Sequence, residues 1–107
     1  DKTANPAWVA ADLLAQCEHG HGSIGVLLTD SAKVLSAVEK SLAAQIKKSR
    51  RPKELQLALE NTMLVEVSDL EEAVRLANAF SAEHVAIATA NPGEVALGLT
   101  TSGAIFL

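Results

Sequence analysis

Met63-Leu64-Val65-Glu66-Val67, then Ser68-Asp69-Leu70-Glu71-Glu72-Ala73-Val74-Arg75-Leu76-Ala77-Asn78-Ala79-Phe80, then His84-Val85-Ala86-Ile87-Ala88-Thr89 read as a strand, a helix and a strand. Ser68 and Glu71 form a capping box: the hydroxyl accepts from the backbone N–H three residues on and the carboxylate reaches back. Behind it Leu70, Ala73, Val74, Ala77 and Phe80 make a helical stripe. In the run from His84 to Thr89, Val85 and Ile87 share one face of a strand. Strands alternating with helices in this way imply a parallel sheet.

The same alternation extends outward in both directions. Upstream, Asn5-Pro6 supplies an N-cap and a first helical residue, and Ala10, Leu13, Leu14 and Cys17 follow at the i, i+3, i+4, i+7 spacing of one buried face. The helix is expected to stop at Gly20-His21-Gly22. Ser23 to Leu28 reads as a strand, and Asp30 is expected to cap a helix carrying Val34, Leu35, Val38, Leu42 and Ile46 inward. Pro52 opens a shorter helix with Leu55 and Leu59 one turn apart. Downstream, Asn91-Pro92-Gly93-Glu94 repeats the capping logic for a last helix, and Gly103 to Leu107 is an apolar strand. The order α-β-α-α-β-α-β-α-β implies an α/β fold: a Rossmann-like open, mainly parallel sheet with helices on both faces. Residues 1–107 form a single domain of this kind or a segment of a larger protein. Opening on a helix and stopping inside an apolar strand, the chain reads as an incomplete domain whose sheet edge would pair with another segment or copy.

Half of the 107 residues are apolar, yet only Trp8, Phe80 and Phe106 are aromatic, so the core must come from Ala, Val, Leu and Ile. A formal charge of -4 disfavours nucleic acid and anionic membrane as partners. The single Cys17 rules out an internal disulfide and fits a reducing compartment. No apolar run approaches the ~20 residues a membrane span needs, and no secretory signal precedes the first helix, so the expected location is cytoplasmic.

Chemistry-bearing residues fall in two places. On the first helix Asp12, Gln16 and His19 lie at i, i+4 and i+7, clear of the apolar stripe. Side chains at such spacing can converge on one metal ion, and an imidazole nitrogen with an amide oxygen makes half of a zinc shell; taken alone, Gln-x-x-His is equally an ordinary solvated face. The second place is Glu83-His84 at the entry to a strand. Imidazole exchanges protons near neutral pH, and a neighbouring carboxylate can orient or activate water. By itself the dipeptide also suits a helix end followed by an unremarkable strand. His21 between glycines reads as a loop residue, Cys17 as core, and Trp8 as a packing residue of the first turn whose place beside the polar face would also let it line a pocket. Lys47, Lys48, Arg50 and Arg51 end a helix, where cations favour the dipole.

The combination is more specific than its parts. Asn5-Pro6, Ala11-Asp12-Leu13-Leu14-Ala15-Gln16-Cys17-Glu18-His19-Gly20, Val26-Leu27-Leu28-Thr29, Asp69-Leu70-Glu71-Glu72-Ala73, Ala77-Asn78, Glu83-His84 and Gly103-Ala104-Ile105-Phe106-Leu107 together resemble, in order and spacing, the histidinol dehydrogenase family. The resemblance spans essentially the whole chain and implies a zinc-dependent, NAD-linked oxidation of L-histidinol to L-histidine through the aldehyde. It implies that Gln16 and His19 are zinc ligands that also touch substrate. By the same resemblance Glu83 is the carboxylate that activates water and His84 the general base, both in contact with the amino alcohol.

The family's remaining zinc ligands, an Asp and a His, would lie beyond this segment, as would most of its nucleotide-binding half. No G-x-G-x-x-G loop is present, so no residue is assigned to NAD. The resemblance further implies a homodimer whose site draws on the partner chain, with the rest of the parent chain completing each subunit. Isolated, the segment is expected to be inactive. Ala82 stands where the family usually has Pro, Val85 where Leu is common, and Cys17 where a small apolar residue is usual. The alternatives are a non-enzymatic or engineered α/β half-domain and a relative that oxidises another small alcohol.

Overall fold

A computed structural model describes residues 1–18 and 24–107. Helix α1 (Pro6–Cys17) begins as its sequence dictates: Asn5 Oδ1 accepts from the backbone N–H of Ala7 at 3.0 Å and of Trp8 at 3.2 Å, and Pro6 occupies the first turn. Strand β1 (Gly25–Thr29) follows, then the long α2 (Ala32–Lys48), the shorter α3 (Pro52–Ala58), a 3-10 turn over Leu59–Asn61 and β2 (Thr62–Glu66). Helix α4 (Leu70–Phe80), β3 (His84–Ala86), α5 (Pro92–Gly98) and β4 (Ala104–Phe106) complete the order expected from the sequence. The expected break at Gly20-His21-Gly22 and the strand start at Ser23 lie outside the described residues.

Several boundaries moved for local reasons. Helix α2 is capped by Ser31, whose Oγ accepts from Val34 N–H at 3.2 Å, and not by Asp30. The capping box of α4 is shifted by one residue. Asp69 Oδ1 accepts from Glu72 N–H at 2.7 Å, and Glu72 Oε1 accepts from Ser68 N–H at 3.0 Å, so the pair is Asp69 and Glu72 in place of Ser68 and Glu71. A carboxylate is the better acceptor at a helix N-terminus, since it also meets the positive end of the dipole. Asn91 precedes α5 without a side-chain cap bond. The strand expected to reach Thr89 ends at Ala86, because β4 offers only three partners.

The strands pair in parallel, as expected, but as two separate pairs. Gly25 to Thr29 face Thr62 to Glu66 in register, and His84 to Ala86 face Ala104 to Phe106. Val67 N–H to Thr29 O and Ile87 N–H to Phe106 O, each 2.8 Å, extend the two ladders by one bond.

The core belongs to the first pair. Ala10, Leu13 and Leu14 of α1 interlock with Val34, Val38, Leu42 and Ile46 of α2 and Leu55 of α3, and the register partners Leu27 and Leu64 pack beneath them. Side chains alternate along a strand, so Val26, Leu28, Met63 and Val65 point to the opposite face, where none is fully buried. Leu35, expected inward, is only half-buried, and Trp8 is 73% exposed and is not a packing residue within this chain. From Leu70 to Leu107, Ile87 alone is fully buried, while Leu97, Phe106 and Leu107 are exposed. The second half therefore has an α/β backbone without a core of its own.

This unequal burial predicts unequal sensitivity. In urea denaturation of this chain, Leu42→Ala should cost about 2–5 kcal/mol, as buried leucines do, whereas Leu97→Ala should stay within about 0.5 kcal/mol. Equal losses would mean that the second half holds a core after all.

Candidate functional site

The first candidate segment is the end of α1. Cys17 is buried, and its Sγ lies 3.3 Å from Thr62 Oγ1 at the start of β2. Gly25, the register partner of Thr62, fills the space between: a Cβ there would lie 3.4 Å from both Leu13 Cδ2 and Thr62 Oγ1. The last turn of α1 is thereby held against the N-terminal ends of β1 and β2. Cys17 is a core residue, as its place on the stripe implied. Gln16 on that turn is half-buried and Asp12 is exposed. Among the described residues, the Gln16 amide has no side-chain hydrogen-bond partner. His19 and His21 lie outside the described residues.

The second candidate segment connects α4 to β3. Ser81 ends α4 in the left-handed region, φ 56°, with its N–H donating to Ala77 O at 3.0 Å and its hydroxyl donating to Asn78 O at 3.1 Å. A left-handed non-glycine residue stops the helix, and here it performs the turn that a proline at position 82 would otherwise stiffen. Ala82 O then accepts from Gly103 N–H at 3.2 Å, and Glu83 O from Ala104 N–H at 2.7 Å. Glu83 precedes the strand and His84 is its first residue; both are exposed. The His84 ring stands 6.1 Å from that of Phe106, centroid to centroid, with the planes inclined at 32°.

Asn78 was not singled out for a role by its sequence, yet it ties this connection together. Its Nδ2 donates to Gly98 O at 2.9 Å, its Oδ1 accepts from Thr100 N–H at 2.9 Å, and its backbone carbonyl accepts from the Thr101 hydroxyl at 2.8 Å. The approach to β4 is thus fastened to the end of α4 by polar contacts where apolar burial is lacking. An amide that gives and accepts across two elements leaves no local trace in sequence, since its partners lie twenty and more residues away.

The two segments share a topological position. Each occupies a helix-to-strand connection, at the first register pair of a parallel ladder: Gly25 with Thr62, and His84 with Ala104. That is the edge opposite to the strand C-termini where open parallel sheets commonly bind ligands. The structure places Glu83 and His84 side by side in the chain, but no hydrogen bond among the described residues links either to Gln16. The described residues also contain no group of three or more His, Cys, Asp or Glu positioned to hold a metal ion. None of their helices is long and apolar enough to cross a membrane.

Two parallel ladders interleaved with five helices define an α/β protein, and comparison with known proteins identifies its family. The family model for histidinol dehydrogenase matches residues 1–107. The chain is similar to histidinol dehydrogenases of Rhodopseudomonas palustris, at 47% identity, and Bacteroides thetaiotaomicron, at 41%; each match covers the whole of this chain and 25% of the relative. It also superposes on a crystal structure of histidinol dehydrogenase from Elizabethkingia anophelis with a TM-score of 0.94 at 32% identity, again covering all of this chain and 25% of that one. The chain belongs to the histidinol dehydrogenase family and spans about a quarter of the length of the relatives it matches. The family resemblance read from the sequence therefore stands, as does the α/β class.

Replacing Asn78 by Ala removes two side-chain hydrogen bonds, worth about 1–2 kcal/mol together. Amide exchange at Thr100 should accelerate in Asn78→Ala while exchange at Val38 is unchanged; unaltered exchange at Thr100 would show that the tie bears no strain.

Proposed function

We propose that this chain forms the part of a histidinol dehydrogenase that carries half of its zinc ligands and its proton-transfer pair, within an enzyme that oxidises L-histidinol to L-histidine with NAD. The observation that carries the reading is the family match over all 107 residues, and the roles given to Gln16, His19, Glu83 and His84 are those the sequence resemblance implies. Substrate, cofactors and partners follow from that family and not from a ligand.

The donor types at the end of α1 suit zinc, because an amide oxygen and an imidazole nitrogen are both acceptable ligands; their number does not, since a zinc shell takes about four. Gln16 and His19 would hold one side of the ion, with the remaining ligands supplied from outside this segment. Bound there, zinc supplies a Lewis-acidic template that orients an amino alcohol. No residue of this chain is assigned to NAD. The rest of the parent chain and a second subunit complete the site on this reading, and the enzyme works in the cytoplasm.

The chain's own residues then have distinct tasks. Gln16, half-buried on the last turn of α1, presents its amide oxygen as one ligand of the ion. His84 takes the proton from the substrate hydroxyl as the alcohol is oxidised to the aldehyde. Glu83 takes a proton from the water that adds to the aldehyde, giving the hydrate that is oxidised in the second step to the carboxylate. Their exposure in this segment leaves both side chains free to face substrate and the remainder of the enzyme.

Two measurements test the assignment. The 107-residue chain alone should form no NADH from histidinol, and turnover without added protein would refute the division of the site. In the full-length enzyme, Gln16→Ala should lower the zinc content after dialysis well below that of the unsubstituted protein. Retention of full zinc occupancy would remove Gln16 from the shell.

A further inference from the structure

We propose that β4 is a positioning strand for the Glu83-His84 pair, with Gly103 setting where the Glu83 backbone lies and Phe106 bearing on the His84 ring. The inference rests on the proton-transfer roles proposed above and adds two residues that act through Glu83 and His84. Glu83 and His84 have exposed side chains, so no packing within this chain fixes their place. What holds them is backbone contact with one segment. Gly103 N–H donates to Ala82 O at 3.2 Å and Ala104 N–H donates to Glu83 O at 2.7 Å, so the residues on both sides of the Ala82–Glu83 peptide are bonded to β4 or its approach.

The approach at Gly103 leaves no room for a side chain. A Cβ built there would lie 2.8 Å from Glu83 O, 3.4 Å from Glu83 Cα and 3.5 Å from Glu83 C. These are backbone atoms, which cannot rotate away as a side chain would, so any larger residue pushes the Glu83 peptide off β4. The neighbouring peptide carries His84, and its ring has a second constraint. Phe106 lies on the same face two residues after the register partner Ala104, with its ring centroid at a distance where aromatic pairs attract. The strand therefore acts at two points on adjacent catalytic side chains, through the backbone of one and the ring of the other.

Gly98 offers a matched control. A Cβ there would lie 2.9 Å from Val74 Cγ1, a clash of similar depth against a side chain between α4 and α5, with neither Glu83 nor His84 involved. In the full-length, zinc-loaded enzyme, Gly103→Ala should lower kcat for histidinol oxidation by about tenfold or more, since displacement of order 1 Å can cost that much. KM and zinc content should change little, and the acidic limb of the kcat–pH profile should move. Gly98→Ala should lower Tm while leaving kcat and that limb as in the unsubstituted enzyme.

A folded Gly103→Ala enzyme with unchanged kcat and pH limb overturns the proposal, as does an equal kcat loss in Gly98→Ala. Should Gly103→Ala fail to fold, Phe106→Leu decides: a moved limb supports the positioning role and an unmoved one overturns it. His84→Asn in the same enzyme separates the two levels. Full activity in that variant refutes the proton-transfer reading itself, whereas loss of activity there beside normal Gly103→Ala and Phe106→Leu enzymes refutes only the positioning by β4.

Discussion

The apolar seam between α1 and α2 is what the rest of this chain depends on. Ala10 and Val38 are shut off entirely from solvent at its centre, and Leu13, Leu14, Leu42 and Ile46 close over them. Each fully buried Val, Leu or Ile side chain contributes about 1.5–3 kcal/mol, against about 0.5–1.5 kcal/mol for a typical hydrogen bond. The seam also fixes geometry. Because α1 is locked on α2 and both sit on Leu27 and Leu64, the end of α1 must meet the starts of β1 and β2, where Cys17, Gly25 and Thr62 come together. Gln16 is carried to its place by a helix whose opposite face is committed to the core.

The second half is held in another way. With Ile87 as its one fully buried residue, it relies on the Asn78 contacts, the two-bond attachment of the Ala82–Glu83 peptide to the approach of β4 and the short β3–β4 ladder. Asp1 adds a bridge between the halves, its carboxylate accepting from Ala90 N–H at 3.0 Å. Exposed Leu97, Phe106 and Leu107 carry apolar surface that this chain does not cover. The chain spans about a quarter of the length of the relatives it matches.

Much of this was legible in the residues. The stripes of α1 and α2, the Asn5-Pro6 start and the order of elements depend on contacts within one or two helical turns, which periodicity and capping chemistry report directly. The misplaced caps have the same origin: Ser31 stands beside Asp30, and Asp69 beside Ser68, and adjacent residues of equal capping ability cannot be ranked without the backbone direction. Cys17 was readable as core because it continued a stripe. Trp8 was read as packing from its size, yet it stands mostly exposed.

The sequence by itself determined the alternation of helices and strands, their parallel sense, the family, and the pairing of Gln16 with His19 and of Glu83 with His84 as chemical candidates, because each depends on residue type and short spacing. Tertiary structure alone decided that the strands divide into two ladders, that the core gathers on the first, that Asn78 ties α4 to the approach of β4, and that Gly103 must lack a side chain. These are contacts between segments twenty or more residues apart, and a spacing rule that spans a few turns of chain carries no information about which distant backbone will come within 3 Å.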